Sequence, residues 1–132
     1  MASKTAVTSL ATPEPLGAFS WALKVDDAKQ LLFVSGLTSR APDGSVVGDA
    51  DITLQTETVL TSLRSILESA GGTLADVVKV TVFIRDMTHF RQIHEVRRRF
   101  FSSPYPASTM VEVSRLVDPR SLIEIDAIAV IG

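Results

Sequence analysis

Few side chains in this sequence have both the type and the spacing that chemistry requires. None of the 132 residues is cysteine, which excludes thiolate nucleophiles, disulfides, iron–sulfur clusters and cysteine-ligated zinc together. The two histidines, His89 and His94, are five residues apart, a poor spacing for one helical face, so no metal site is expected. Ser108-Thr109 presents two hydroxyls, but a nucleophile needs an adjacent base and an oxyanion site, and neither is visible nearby. Hydrogen bonding to a ligand is their expected role. In the run Arg97-Arg98-Arg99 the charges fan out over almost a full helical turn, which makes most of them solvated surface. Arg97 is the exception, because it aligns with Ile93 and is expected to reach a cleft. His94 is a candidate general acid or base, with a half-exposed helix residue bonded to a carbonyl as the alternative. Glu124 and Asp126 alternate with Ile123, Ile125 and Ala127, so both carboxylates lie on one side of a strand.

The elements that must position these groups are legible from hydrophobic period. Ser20–Val25 alternates as a half-buried strand, Asp26-Asp27 reads as a turn, and Leu31–Gly36 is expected to pair with the first strand as a hairpin. Pro42-Asp43-Gly44 marks a loop. From Asp51 to Ala70 the period becomes helical, with Leu54, Val59, Leu60, Leu63, Ile66 and Leu67 as its apolar stripe and Gly71-Gly72 as its stop. Val77–Arg85 returns to strand, with Val78, Val80, Val82 and Ile84 on one side. A second helix is expected over about Thr88 to Phe101, with Thr88 as N-cap and Phe90, Ile93, Val96, Arg97, Phe100 and Phe101 facing inward. The prolines of SSPYPA end it. Ser108–Ser114 and Leu122–Val130 are the last two strands.

The order ββαβαββ predicts an α+β fold, a mixed sheet with two helices on one face. The smoother sides of the last two strands are assigned to the helices. The uncovered face then mixes Phe83, Met110, Ile128 and Val130 with Lys79, Thr81, Glu112, Glu124 and Asp126. A face of that character predicts a partly wet subunit interface and hence a closed homo-oligomer. On this reading Glu124 is either a ligand-directed base or the partner of Lys79 or an arginine across the interface. Composition bounds the rest: 45% hydrophobic and 21% charged residues are those of a single folded domain over 1–132, with a flexible leading segment over 1–15. A net charge of −2 argues against nucleic acid as a partner, since phosphate backbones call for a basic surface. No segment has the form of a secretory signal or a membrane span, so a cytoplasmic protein with no membrane partner is expected.

The segments FVSG (33–36), ESAGGTLADVVKVTVFIRDMTHF (68–90), RRRFF (97–101), YPASTMVEVSRL (105–116) and IEIDAIAV (123–130) resemble the YjgF/Rid family of reactive enamine and imine deaminases. The resemblance implies a chorismate mutase-like subunit, a homotrimer and ligand clefts between neighbouring subunits; no cofactor is expected. It also implies roles by position. Glu124 corresponds to the cleft glutamate that positions or activates water, and Ser35-Gly36 to the segment whose backbone lies close to the ligand. Ser108 stands where deaminating members carry a carboxylate-binding arginine, Met110 where they commonly carry cysteine, Phe19 where they carry tyrosine, and His94 where an asparagine is frequent. Loss of the arginine fork predicts little deamination of 2-aminoacrylate and a flatter, less charged ligand bound by Phe19, Ser35, Gly36, Ser108, Thr109, Met110 and Arg97, with Glu124 and His94 as the candidate catalytic groups. A trimer that binds a small ligand or shields other proteins without catalysis is the alternative function.

Overall fold

The structure, a computed structural model, describes residues 2–132. Its strands are β1 (Ser3–Val7), β2 (Ala22–Asp26), β3 (Gln30–Leu37), β4 (Val77–Ile84), β5 (Ala107–Glu112) and β6 (Ile123–Ile131). The helices are α1 (Ile52–Ser69) and α2 (Phe90–Phe100). Four strands form one mixed sheet in the order β3-β6-β4-β5, in which β4 and β5 are parallel and the other pairs antiparallel.

The expected hairpin between the first two predicted strands does not form. β2 pairs instead with β1, Val7 opposite Ala22 and Ser3 opposite Asp26, within the segment expected to be flexible. This ribbon is tied to the edge of the main sheet: Ser20 bridges Ala107, its N–H donates to the Pro106 carbonyl at 3.0 Å, and its hydroxyl donates to the Tyr105 carbonyl at 2.6 Å. Meanwhile β3 crosses to the far edge and pairs with β6. Every β1 residue but Lys4 is exposed, so the strand has no oily side to announce it.

Both helices cover one face. Val59, Leu60, Leu63 and Leu67 of α1 and Ile93 and Val96 of α2 are buried against Val80, Val82 and Ile84 of β4 and Ile123, Ile125, Ala127 and Ala129 of β6. The Asp51 carboxylate caps α1 by accepting the Leu54 N–H at 3.0 Å. Leu54 and Ile66, expected in the stripe, are exposed, and Gln55 and Thr56 are buried in their stead. Gln55 is fully occupied there: its amide donates to the Gly48 and Arg120 carbonyls and accepts the Leu122 N–H, which fastens the start of α1 to the approach to β6.

Three further expectations are corrected. A bulge between Val77 and Lys79 puts Val77 rather than Val78 in the core. The second helix starts at Phe90, because Asp86 takes the Thr88 N–H to cap a preceding turn of 3₁₀ helix over Met87–His89. The side assignment of β5 is also reversed. Its parallel register sets Ser108, Met110 and Glu112 beside Val80, Val82 and Ile84, on the helix side, and Thr109 and Val111 beside Thr81 and Phe83 on the open face. Met110 and Glu112 therefore leave the uncovered face, and Val130 is buried. The open face retains Phe83, Ile128, Lys79, Thr81, Glu124 and Asp126, to which β3 adds Leu31 and Phe33. Phe33 is 71% exposed.

Candidate active site

The reversal of β5 divides the candidate residues between two places. On the helix side, a cavity of about 240 Å³ opens between α2 and β5 and is closed by residues 16–21. Phe19, Trp21, Phe90, His94, Arg97, Ser108 and Met110 line it. The closing segment holds itself in shape, with the Trp21 indole donating to the Pro13 carbonyl at 2.6 Å and the Phe19 and Trp21 rings edge to face at 5.2 Å. Gly17 lets the backbone lie close to His94: a β-carbon there would come 2.6 Å from His94 Cε1 and push the ring aside. His94 in turn stacks on Phe90, with ring centroids 5.8 Å apart.

Arg97 is the charge of this cavity. The helical period carries it inward with Ile93 and Val96, leaving it 6% exposed, and its guanidinium donates to Ser108 Oγ at 2.8 Å. Burial pulls its pKa down to about 10. Burial, reinforced by the Arg97 and Arg98 charges, also lowers the pKa of His94, so the imidazole is neutral at pH 7. Arg97, expected from its alignment with Ile93 to reach a cleft, lies in the wall of this cavity. Serine replaces arginine on β5, but an arginine from α2 brings its head to the serine.

The second group lies on the open face. Glu124 sits opposite Phe83 and beneath Gly36, where a β-carbon would come 2.8 Å from the Glu124 carboxyl carbon and 3.0 Å from its Cγ. The register shift between Val34 and Leu37 brings Ser35 and Gly36 over it, and both are exposed. Among the described residues no hydrogen bond or ion pair engages the Glu124 carboxylate. Within the chain Lys79 does not turn to it, donating to Thr109 Oγ1 at 2.9 Å and the Val80 carbonyl at 3.1 Å. Thr109 accordingly lies with Lys79 and away from Ser108, and does not line the cavity. The sequence reading placed Phe90 in the core, whereas it is a half-exposed wall of the cavity. It also passed over Gly17, whose only signal is a glycine within an otherwise apolar LGAF.

Among the described residues no cluster of His, Asp and Glu has the makings of a metal site, and no helix is long and apolar enough to cross a membrane. Fold and site together define a small α+β domain with a cavity at one sheet edge and, on its open face, a carboxylate without a partner among the described residues. A sequence profile of the family described as Endoribonuclease L-PSP matches residues 9–131. A RutC family protein of Pyrococcus abyssi is 41% identical over 96% of this chain and 97% of its own length. A 2-iminobutanoate/2-iminopropanoate deaminase of Dermatophagoides farinae is 32% identical over 99% of both chains. In structure, a conserved Rid family protein of Yersinia pestis superposes with a TM-score of 0.87 at 26% identity, covering 97% of this chain and 98% of that one. The chain belongs to the Endoribonuclease L-PSP family, that of the YjgF/Rid proteins.

Proposed function

We propose that this protein is a divergent Rid enzyme that hydrolyses a small conjugated imine or enamine in clefts between the subunits of a homotrimer, with Glu124 as the base. The observation that carries the reading is the division of the site. Glu124 with Ser35-Gly36 and the cavity of Phe19, His94, Arg97, Ser108 and Met110 lie on opposite faces of one sheet, so one chain cannot close both on a small ligand. A neighbouring copy docked on the open face can. That face has the character of an interface, because Leu31, Phe33 and Val111 are exposed apolar side chains around the half-buried Phe83 and Ile128. The number three rests on the family likeness, and the deaminase named above supports the reaction class.

Glu124, free of partners within its own chain, accepts a proton from water as the oxygen adds to the imine carbon and the nitrogen takes up a proton from solvent. The carbinolamine then collapses: Glu124 returns its proton to the nitrogen, the C–N bond breaks as ammonia leaves, and the hydroxyl releases its proton to solvent as the carbon becomes a carbonyl. An enamine first takes a proton at carbon and releases one from nitrogen to give the imine. The substrate is a small molecule rather than nucleic acid, as the net charge of −2 provides no basic surface for phosphates. Three-carbon enamines such as 2-aminoacrylate are poor substrates, because they leave the apolar walls of the cavity unfilled.

The test is ammonia release, above the spontaneous rate, from imines generated by an amino-acid oxidase. The wild-type protein accelerates it and Glu124→Gln does not. Equal rates for the two would favour the non-catalytic, ligand-binding or protein-shielding trimer.

A further inference from the structure

We propose that Arg97, delivered from α2 and held against Ser108, is the anion anchor of the cavity, and that the ligand it selects is a monocarboxylate carrying a bulky apolar or aromatic group. The inference rests on the cavity's being the substrate-binding half of the divided site.

The first observation is an uncompensated charge. Arg97 is 94% removed from solvent by its 6% exposure, yet its partner is a neutral hydroxyl. The ion pairs among the described residues belong to Arg40, Arg99 and Arg120. No Asp or Glu lines the cavity. A buried guanidinium without a counter-charge is costly, and a ligand carboxylate removes that cost. Of the five N–H donors of the planar fork, Ser108 engages one end through Nη2, which leaves the fork free to hold a carboxylate in bidentate fashion.

Second, the groups facing Arg97 neither compensate it nor compete for the anion. His94, the nearest titratable group in the wall, has its pKa lowered and is uncharged at neutral pH. Ser108 fixes the guanidinium rather than binding the ligand's charge. A serine at this position is short enough to admit the arginine head from α2.

Third, the walls define the rest of the ligand. Phe19, Trp21, Phe90 and Met110 offer stacking and thioether surfaces around about 240 Å³, more than a three-carbon acid fills. A ligand with its carboxylate on Arg97 and an aromatic or branched apolar group between Trp21 and Phe90 uses both features.

The experiment is calorimetry on the intact wild-type oligomer with phenylpyruvate, pyruvate and phenylpyruvate methyl ester. Phenylpyruvate is expected to bind at least tenfold more tightly than either of the others. Arg97→Met should lower phenylpyruvate affinity at least tenfold and leave the ester unchanged, and Trp21→Ala should remove the preference over pyruvate. An ester that binds as well as the acid, or undiminished binding by Arg97→Met, overturns the anchor. Pyruvate binding as tightly as phenylpyruvate overturns the aromatic half. The wild-type series decides even if Arg97→Met does not fold. The wild type separates this inference from the proposed catalysis: tight phenylpyruvate binding with no acceleration of imine hydrolysis would leave the anchor standing and remove the catalysis. Hydrolysis of neutral imines with no preference for carboxylates would leave the catalysis standing and remove the anchor.

Discussion

Replacing Gly36 by alanine tests the placement of Glu124 with little disturbance of the fold. Gly36 does not occupy a left-handed backbone conformation, so an alanine can adopt its dihedral angles. Its methyl group, however, would overlap the Glu124 carboxyl group, lying 2.8 Å from Cδ. The yielding atoms are the far end of a flexible side chain on the open face, so the carboxylate rotates away. An off-rotamer cost of ~0.5–1.5 kcal/mol is largely offset by the ~0.4–1 kcal/mol that Gly→Ala gains through the unfolded chain. Stability measured by urea unfolding should therefore change by less than about 1 kcal/mol. Catalysis should respond much more strongly, since a misplacement of about 1 Å costs on the order of 100-fold, or roughly 2.7 kcal/mol in the barrier. The assay is kcat/KM for oxidase-generated imines in the wild type, Gly36→Ala, Glu124→Gln and the double variant. If the glycine acts by admitting the carboxylate, the double variant is no slower than Glu124→Gln alone. A fully active Gly36→Ala protein would refute this placement, and additive losses in the double variant would show that the glycine acts by another route.

Removing the buried charge should stabilise the protein while ending anion binding. The fall of the Arg97 pKa from its ordinary value to about 10 corresponds to roughly 3 kcal/mol of unfavourable burial. Arg97→Met should therefore gain about 1–3 kcal/mol in urea unfolding of the ligand-free protein. A loss of stability would contradict an uncompensated cation. His94, whose pKa is lowered mainly by burial, contributes stability that is complete above its ordinary value of 6.5 and is lost as pH falls towards the folded-state value. His94→Gln should flatten the stability profile in that window, and an unchanged acid slope would exclude the histidine as its source. Phe33 is 71% exposed in the single chain, so Phe33→Asp costs an isolated subunit little but disrupts an interface. Light scattering should show smaller species, and an unchanged mass would remove the open face of β3 from the assembly.

Elements with strong chemical contrast were readable before the structure, and those without it were not. β6 announces its two sides because Ile123, Ile125, Ala127 and Ala129 oppose Glu124 and Asp126. The helix-facing residues of α1 follow from Leu60, Leu63 and Leu67, although Gln55 shows that a polar residue with all its hydrogen bonds made can take a core position. At the edge of the sheet, β5 offers no such contrast: Ser108, Met110 and Glu112 alternate with Thr109, Val111 and Val113. Its facing was decided by parallel register with β4, a long-range pairing that no local pattern encodes. The reading of the site inherited that error. Helical spacing aligned Arg97 with Ile93, but its role depended on Ser108 pointing toward α2. With Ser108 turned to the open face Arg97 had no partner in view; with Ser108 on the helix side the two meet at 2.8 Å.

The most direct test of the divided site is subunit mixing. Glu124→Gln and Arg97→Met homo-oligomers, each inactive toward an aryl 2-imino acid, are unfolded together in equal amounts, refolded and assayed. If each cleft takes Glu124 from one subunit and Arg97 from its neighbour around a closed ring, about a quarter of the clefts in the mixture receive both intact residues. Activity should rise to about a quarter of the wild-type value. If both residues served one cleft within a single chain, every cleft would carry one of the two substitutions, and a mixture as inactive as its parents would contradict the account.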